Sequence, residues 1–275
     1  DACIKMKTNY CDISGETQWI RKIIDTFHEK AKQQKVKIVN SCGFDSIPSD
    51  IGVYFCQYNY FKENGEYANA INMRVAGTKG GFSGGTYNSL TNVIHEANVN
   101  KSVRETLNNP YGLNPVNEQS GPDTKDLRSV VYDKEAKSWI APFVMAGINT
   151  KIVRRSNALL NYKYGKSFLY SEAVLVGDGI LGKIIGYLSL IPIFMVIQKK
   201  GSIIKRIVDL FVPKAGQGPS KKQRENGFFN LKFYFNNGQQ KYIAKVTGDM
   251  DPGYGSTSKM LAECAICLAL DDTLN

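Results

Sequence analysis

The chain has 275 residues, of which 43% are hydrophobic and 22% charged, values close to those of average soluble globular proteins. This composition excludes disordered and collagen-like chains, and the length suffices for one large domain or two small ones. The formal net charge of +10 is concentrated: residues 151–225 contain fourteen Lys or Arg against four Asp or Glu, and the other 200 residues contain 21 of each sign. A nucleic-acid-binding protein would be basic more uniformly, so we expect no nucleic-acid partner. One basic segment on a neutral body favours a surface that faces anionic lipid or phosphate.

Six cysteines are scattered through the chain, and four of them lie within apolar runs. A reduced cysteine behaves there as a small hydrophobic residue, which favours a reducing compartment over a secreted disulfide scaffold. Cys264 and Cys267 form a single C-x-x-C pair inside a predicted helix, and the chain contains only two His. We therefore expect neither secretion nor a metal site.

The first sixty residues alternate between strand and helix patterns. Residues 8–14 and 36–39 predict strands, with an amphipathic helix that begins after Ser14. The second strand leads into the loop of residues 40–50, where Ser46 can cap a new helix. These elements make a βαβα unit, whose parallel strands place ligands at their carboxyl ends. We predict that this loop faces a ligand, and a simple capping turn is the alternative.

The next segments change in character. Residues 70–75 predict a strand that leads into a glycine-rich run, residues 77–85. Residues 87–107 predict a helix, and residues 108–150 predict loops with short strands. Closely spaced glycines allow backbone N–H groups to approach a phosphate or a thin acyl substrate. The alternative for the glycine run is a bulged or sharply bent strand end.

The C-terminal part carries clear local signals. Residues 230–247 alternate apolar and polar side chains around Asn237-Gly238, which predicts a β-hairpin. After a turn at residues 251–255, a helix capped by Ser or Thr is predicted from Lys259 to about Leu270.

An apolar stretch lies between these regions. Residues 184–197 contain no charge over fourteen positions, fewer than the roughly 20 needed to span a bilayer, and Pro192 interrupts them. Residues 202–213 follow with a basic, amphipathic helical pattern. We interpret residues 180–212 as a short apolar hairpin and a basic helix that lie on a membrane or lipid droplet. The alternative is a buried helix pair with a solvated basic face.

Seven short blocks have more specific sequences: residues 10–16 (YCDISGE), 41–50 (SCGFDSIPSD), 80–86 (GGFSGGT), 141–145 (APFVM), 153–156 (VRRS), 218–220 (GPS) and 251–260 (DPGYGSTSKM). In this order they resemble the saccharopine dehydrogenase-like oxidoreductases, and the glycine block resembles their branch of trans-acting enoyl reductases. The resemblance implies an α/β fold. Its parts are the C-terminal half of a Rossmann-type parallel sheet in residues 1–62, an α+β substrate domain with a mixed sheet in residues 63–250, and a helix in residues 251–275 that returns to the Rossmann domain.

The resemblance also implies a function, namely the NADP- or NAD-dependent reduction of a lipid or acyl chain in lipid or glycolipid metabolism. It implies a cytosol-facing membrane, such as the plasma membrane or a lipid droplet, and it is compatible with a homodimer. The predicted cofactor residues lie on the nicotinamide side: Asp12, Gly15, Glu16, Cys42, Gly43, Phe44, Asp45 and Ser46. The predicted substrate residues are Gly81, Gly84, Gly85 and Thr86.

Enoyl reduction delivers a hydride to one carbon and a proton to its neighbour while the carbonyl is polarised. Asp45, Tyr87 and Ser89 are the candidates for proton delivery or carbonyl polarisation. The resemblance implies that the family's glycine-rich pyrophosphate turn belongs before Asp1 and that a last segment belongs after Asn275. We therefore expect the isolated chain to bind dinucleotide poorly and to be inactive alone. Two further functions stay open: a membrane or lipid-droplet protein that kept the fold without catalysis, and an amino-acid dehydrogenase.

Overall fold

The computed structural model describes residues 1–44, 46–81, 84–196, 202, 212–214 and 216–270. A short βαβ unit opens the chain and consists of α1 (Ala2–Lys5), β1 (Tyr10–Cys11), α2 (Thr17–Gln33) and β2 (Ile38–Val39). Tyr10 pairs with Ile38 and Cys11 pairs with Val39 in parallel register. The predicted strand–helix–strand order is confirmed, with strands shorter than predicted.

A six-stranded sheet forms the larger part of the fold. Its strands are β3 (Ala70–Lys79), β4 (Val131–Asp133), β5 (Ser138–Ala141), β6 (Leu169–Gly177), β7 (Phe228–Asn236) and β8 (Lys241–Gly248). They lie in the order β4-β5-β6-β3-β7-β8. β3 and β6 are parallel, and the other neighbours are antiparallel. The predicted mixed sheet and the predicted hairpin, which β7 and β8 form, are confirmed.

The remaining helices are α3 (Ile47–Asn64), α4 (Gly84–Val99), α5 (Lys101–Asn108), α6 (Ala146–Leu159), α7 (Gly179–Val196), α8 (Lys221–Glu225) and α9 (Thr257–Leu270), with a π-helical turn (Pro252–Ser256) before α9. Of these, α3, α6 and α7 pack against the six-stranded sheet. The helix predicted over residues 87–107 is broken at Asn100. Its Oδ1 accepts hydrogen bonds from the backbone N–H groups of Ser102 and Val103 and thereby starts a new helix, α5. Residues 108–150 end in α6 rather than in a loop.

The main core lies between α3 and the six-stranded sheet. Val53 and Tyr60 of α3 pack with Met73 of β3 and Phe233 of β7. Gly52 lies against the Phe233 ring, where a Cβ would collide with ring carbons, so α3 can approach the sheet closely only with glycine there. Residues on both sides of the predicted boundary at 62/63 therefore share one core, and the domain division stays a prediction.

The predicted apolar hairpin over residues 184–197 is wrong. α7 is one continuous helix of 18 residues with Pro192 inside it. A proline inside a helix removes one backbone N–H and bends the helix without reversing the chain, and Pro192 is accommodated in this way. In the part of the chain that the structure describes, α7 is the helix long and apolar enough to cross a membrane, by length and composition alone. Most of the predicted basic helix, residues 203–211, lies outside the described residues.

Candidate functional site

Asp12 joins the two loops that follow β1 and β2. Its Oδ1 accepts hydrogen bonds from the Ser14 N–H at 2.9 Å and the Ser14 hydroxyl at 2.6 Å. Its Oδ2 accepts from the Asn40 side chain at 2.8 Å, and its backbone carbonyl accepts from the Cys42 N–H at 2.7 Å. Both oxygens of this predicted cofactor residue therefore hold the loops at the carboxyl ends of the parallel strands.

Glu16 brings a predicted cofactor residue and a predicted catalytic residue into contact. Its Oε2 accepts from the Gly15 N–H at 3.0 Å, and its Oε1 accepts from the hydroxyl of Ser89 on α4. Glu16 also occupies the N-cap position of α2, while Ser14, predicted to start that helix, donates to Asp12 instead. A carboxylate there complements the positive end of the helix and occupies the place where an anionic ligand would bind.

The turn of residues 43–46 leads into α3. The backbone N–H groups of Ser46 and Ile47 donate to the Gly43 carbonyl at 3.1 and 2.9 Å. The Phe44 N–H donates to Thr257 Oγ1 at 3.0 Å, and a Cβ on Gly43 would lie 2.9 Å from Thr257 Cγ2. A glycine is therefore needed where the turn meets α9.

Three further residues predicted to bind the cofactor lie in or next to this turn. Ser46 takes the N-cap position of α3 as predicted, but among the described residues its oxygen accepts no hydrogen bond from the helix N–H groups, and its hydroxyl donates to Asn149 Oδ1. Cys42 is fully buried, and burial raises the pKa of its thiol. Asp45, the predicted acid, lies outside the described residues.

The glycine run is packed against other parts of the same chain. A Cβ on Gly80 would lie 2.9 Å from Pro252, and Gly81 and Gly84 lie against Pro219 and Lys214 respectively. β3 also shifts register just before this run, as the alternative interpretation of a bulged strand end expects. These glycines thus allow three segments to meet, and the substrate roles of residues 81–86 stay predictions.

Three more predicted residues begin α4. Gly85 and Thr86 are exposed, whereas Tyr87 is buried. Gly84 precedes them, and its N–H donates to the Gln217 carbonyl at 3.1 Å. The same helix turn therefore contacts the loop before α8 and, through Ser89, the start of α2.

The turn before α9 was predicted from the sequence, but none of its residues was predicted to belong to the site. Asp251 is fully buried, and its carboxylate accepts from the N–H groups of Tyr254 and Gly255 at 3.1 and 2.8 Å. Thr257, expected to cap the helix, instead donates its hydroxyl to the Pro252 carbonyl at 2.7 Å and accepts from Phe44. An acid followed by proline is an N-cap signal, so Asp251-Pro252 could have identified Asp251 as the residue that caps this turn.

A cavity of about 400 Å³ lies beside β2, between α2, α3 and α6. Its walls are mainly apolar side chains of α2, and Asn40, Ser41 and Ser46 line it at the carboxyl end of β2. Asp50 also lines it, and burial raises the pKa of this carboxyl to about 6, although the Ser156 hydroxyl donates to it at 2.7 Å. The cavity therefore joins apolar walls to polar groups at the predicted ligand edge.

A buried network of polar side chains adjoins the 43–46 turn through Ser46, and no local sequence pattern predicted it. Glu172 of β6 accepts hydrogen bonds from the Asn149 amide at 2.9 Å and from the Tyr170 hydroxyl at 2.8 Å. Burial raises the pKa of Glu172 to about 7, and these hydrogen bonds oppose the shift. Within the described residues, no cluster of three or more His, Cys, Asp or Glu is arranged to hold a metal ion.

No protein-family model matches the chain. A protein of Mycobacterium tuberculosis strain H37Rv named as a trans-acting enoyl reductase is 37% identical over 286 residues, which cover 98% of this chain and 67% of that protein. Trans-acting enoyl reductases of Mycobacterium bovis strain BCG and Mycobacterium ulcerans are each 31% identical with the same coverage, over 287 and 292 residues. At this identity over nearly its whole length, the chain belongs to the trans-acting enoyl reductase family.

Proposed function

We propose that the protein is an NAD(P)H-dependent reductase of the saccharopine dehydrogenase-like type that saturates a double bond in a lipid or acyl substrate. The observation that carries this proposal is the similarity, over 98% of the chain, to proteins named as trans-acting enoyl reductases. Two features agree with it: the Ser89–Glu16 pair lies where β1 leads into α2, and a largely apolar cavity lies beside β2 with Asn40, Ser41 and Ser46 in its wall.

The residues at this edge fit the uncharged nicotinamide end of a dinucleotide. Asp12 and Glu16 are acidic and residues 10–16 and 40–46 contain no Lys or Arg, whereas Lys32, Lys37 and Arg155 line other parts of the cavity. Asn40, Ser41 and Ser46 offer hydrogen-bonding groups of the kind that a carboxamide uses. A nicotinamide bound here would supply the hydride, and the protein would position it.

The protein's own contribution would be proton delivery and carbonyl polarisation. The Ser89 hydroxyl donates to Glu16, so the carboxylate holds this side chain in one orientation. When Glu16 is protonated, its carboxyl group can donate to the Ser89 oxygen while Ser89 passes its own hydrogen to a substrate carbon or carbonyl oxygen, which leaves Glu16 as the carboxylate. Tyr87 is buried two residues earlier on α4, and Asp45 remains a third candidate.

The test is the consumption of NADPH by the enzyme in the presence of an α,β-unsaturated acyl thioester. Ser89→Ala should lower the turnover rate about 100-fold, the range for loss of a positioned proton donor, with the unfolding temperature unchanged. Thr91→Ala is the matched control, because Thr91 lies on the same helix and its hydroxyl donates to the Asn88 carbonyl. Full activity in Ser89→Ala would remove Ser89 from the mechanism, and no turnover of any enoyl thioester by the native enzyme would contradict the proposed reaction.

We also propose that α7 attaches the protein to an anionic membrane surface. Gly182 and Gly186 lie one turn apart and bury one face of α7 on the sheet, where a Cβ on Gly186 would lie 2.7 Å from Val130. The opposite face is aliphatic and exposed, and it comprises Ile180, Leu181, Ile184, Leu188 and Ile191. Because one face is held by the protein's own sheet, α7 is suited to lie in the membrane plane rather than to cross the bilayer.

The charge of the surrounding segment favours lipid over a second copy of the chain as the partner of this face. Residues 151–225 contain ten more Lys and Arg than Asp and Glu; Lys151 and Arg154 are buried, but the exposed lysines of this segment would repel a second copy and attract anionic headgroups. Each aliphatic side chain transferred into the bilayer contributes about 2 kcal/mol. A few such side chains together with the basic segment suffice for reversible attachment.

Sedimentation with vesicles of phosphatidylcholine and phosphatidylserine tests this attachment. Ile184→Glu with Leu188→Glu should reduce the bound fraction at least tenfold. Ile243→Glu, which alters an exposed apolar side chain on β8, should leave it unchanged. Unchanged sedimentation of the α7 variant would contradict the proposal, as would a dimer of the native chain that the α7 substitutions dissociate.

A further inference from the structure

A line of buried hydrogen bonds connects β6 with the turn before α3. Glu172, 2% exposed, accepts at Oε2 from Asn149 Nδ2 at 2.9 Å. Asn149 in turn accepts at Oδ1 from Ser46 Oγ at 3.3 Å. All three side chains are buried, so each polar atom depends on its protein partners rather than on bulk water.

When Glu172 is ionised, its charge fixes the direction of these hydrogen bonds. An ionised carboxylate can only accept, so Asn149 turns its NH₂ group towards Glu172 and its carbonyl oxygen towards Ser46. The single hydroxyl hydrogen of Ser46 is then used by Asn149. Ser46 also lines the cavity at the carboxyl end of β2, and towards that cavity its oxygen can only accept.

Other charged groups lie around Glu172. Asp50 on α3 and Asp126 in the loop before β4 are acidic, and Asp126 further raises the pKa of Glu172. The nearby guanidinium of Arg154 pairs with Asp123 at 2.7 Å and donates to the Tyr170 carbonyl. Among the described residues no Lys or Arg forms an ion pair with Glu172, so its charge acts on its hydrogen-bond donors.

We propose that Glu172, acting through Asn149, is a positioning residue that makes Ser46 a hydrogen-bond acceptor for an N–H donor in the cavity. A primary carboxamide, such as that of a nicotinamide, has this donor. The ligand assignment rests on the proposed function, whereas the direction of the hydrogen bonds rests only on Glu172, Asn149 and Ser46.

Glu172→Gln should reverse that direction. The Gln amide can donate to Asn149, whose side chain then presents its NH₂ group to Ser46, and Ser46 gains a hydrogen for the ligand. Tyr170→Phe is the matched control, because it removes one of the other donors to Glu172, besides Ser49, and leaves Asn149 and Ser46 in place.

The first experiment needs no ligand. A double-mutant cycle on urea unfolding at pH 8.5, where Glu172 is ionised, combines Ser46→Ala with Glu172→Gln, whose side chains are linked by hydrogen bonds through Asn149. We expect a coupling of about threefold or more in the unfolding equilibrium constant, and less for Ser46→Ala with Tyr170→Phe. Additive effects of Ser46→Ala and Glu172→Gln would overturn the proposal, whatever the protein binds.

The second experiment compares, in the full-length protein, the binding of NADPH with that of the reduced 3-acetylpyridine analogue, whose acetyl group has no N–H. We expect the native protein to prefer NADPH about tenfold, Tyr170→Phe to retain that preference, and Glu172→Gln to lose it. A preference that Glu172→Gln retains would overturn the assignment of Ser46 as acceptor. Coupling in the cycle without binding of either dinucleotide would support the positioning role and contradict the proposed cofactor, so the two failures are distinguishable.

Discussion

Replacement of Glu172 by Gln should change the way in which the stability of the fold depends on pH. Burial raises the pKa of Glu172 from its ordinary value of 4.5 to about 7, against hydrogen bonds from Ser49, Tyr170 and Asn149 that favour the ionised form. In the unfolded chain this carboxyl titrates near its ordinary value. Between these two values the folded protein therefore holds a proton that the unfolded chain releases.

The sign of the effect follows from this difference in bound protons. Since the folded state binds more protons, the free energy of unfolding falls as pH rises through this interval. The contribution is fully present below pH 4.5 and is lost by about pH 7. A shift of about 2.5 pKa units corresponds to roughly 3 kcal/mol. Asp50, with its pKa raised from 3.8 to about 6, adds a loss of the same sign at lower pH.

Urea unfolding of the native protein and of Glu172→Gln at pH 5 and pH 7.5 measures this contribution. Native protein should lose about 2 kcal/mol more than the variant over this interval, because part of the proton release is already complete at pH 5. Glu63→Gln, which removes an exposed carboxylate from α3, should follow the native protein. The same pH dependence in native protein and Glu172→Gln would refute the argument that burial retains the proton.

Two further substitutions test the packing around the site. Gly43→Ala should destabilise the fold by about 1–3 kcal/mol in urea unfolding, because its Cβ would lie 2.9 Å from Thr257 Cγ2. Thr257→Ser, which removes that methyl group, should recover part of the loss, and additive effects of the two substitutions would contradict this contact. Arg154→Met should lower the free energy of unfolding by about 3–5 kcal/mol in thermal unfolding, because it leaves the buried Asp123 carboxylate without its cation. Lys101→Met, which breaks an exposed ion pair, should lower it by less than about 1 kcal/mol, and equal losses would refute the difference between buried and exposed pairs.

The elements with strong local signals could be predicted from the sequence. Alternation of apolar and polar residues around Asn237-Gly238 identified the β7–β8 hairpin, and Gly238 has the φ of +85° that such a turn requires. β6 gave no comparable signal, although it lies inside the sheet. It pairs in parallel with β3, with Ala70 opposite Leu169, so the two strands are far apart in the sequence. Pairing between strands that are distant in sequence depends on tertiary contacts rather than on a local residue pattern.

The position of the candidate site follows from sequence pattern, but its contacts do not. Parallel strands and a loop after the second one predict a site at their carboxyl ends, and the contact between Glu16 and Ser89 joins two predicted residues. Their partners could not be found in the same way, since Thr257 and Asn149 are distant in sequence from the 43–46 turn. A hydroxyl or an amide has no pattern that reveals which remote backbone group it will bind.

The same contacts show why the site depends on both parts of the chain. Ser46 lies in the predicted Rossmann part, whereas Asn149 and Glu172 lie in the predicted substrate part, and all are buried. Phe44 is held by Thr257 from the C-terminal segment, and α3 buries its inner face on β7. Removal of any of these segments would leave buried polar groups of the turn without partners, which costs about 1–3 kcal/mol for each group. The turn at the ligand edge is therefore stabilised by the sheet of the larger part, and a change at Glu172 can reach Ser46 through a single amide.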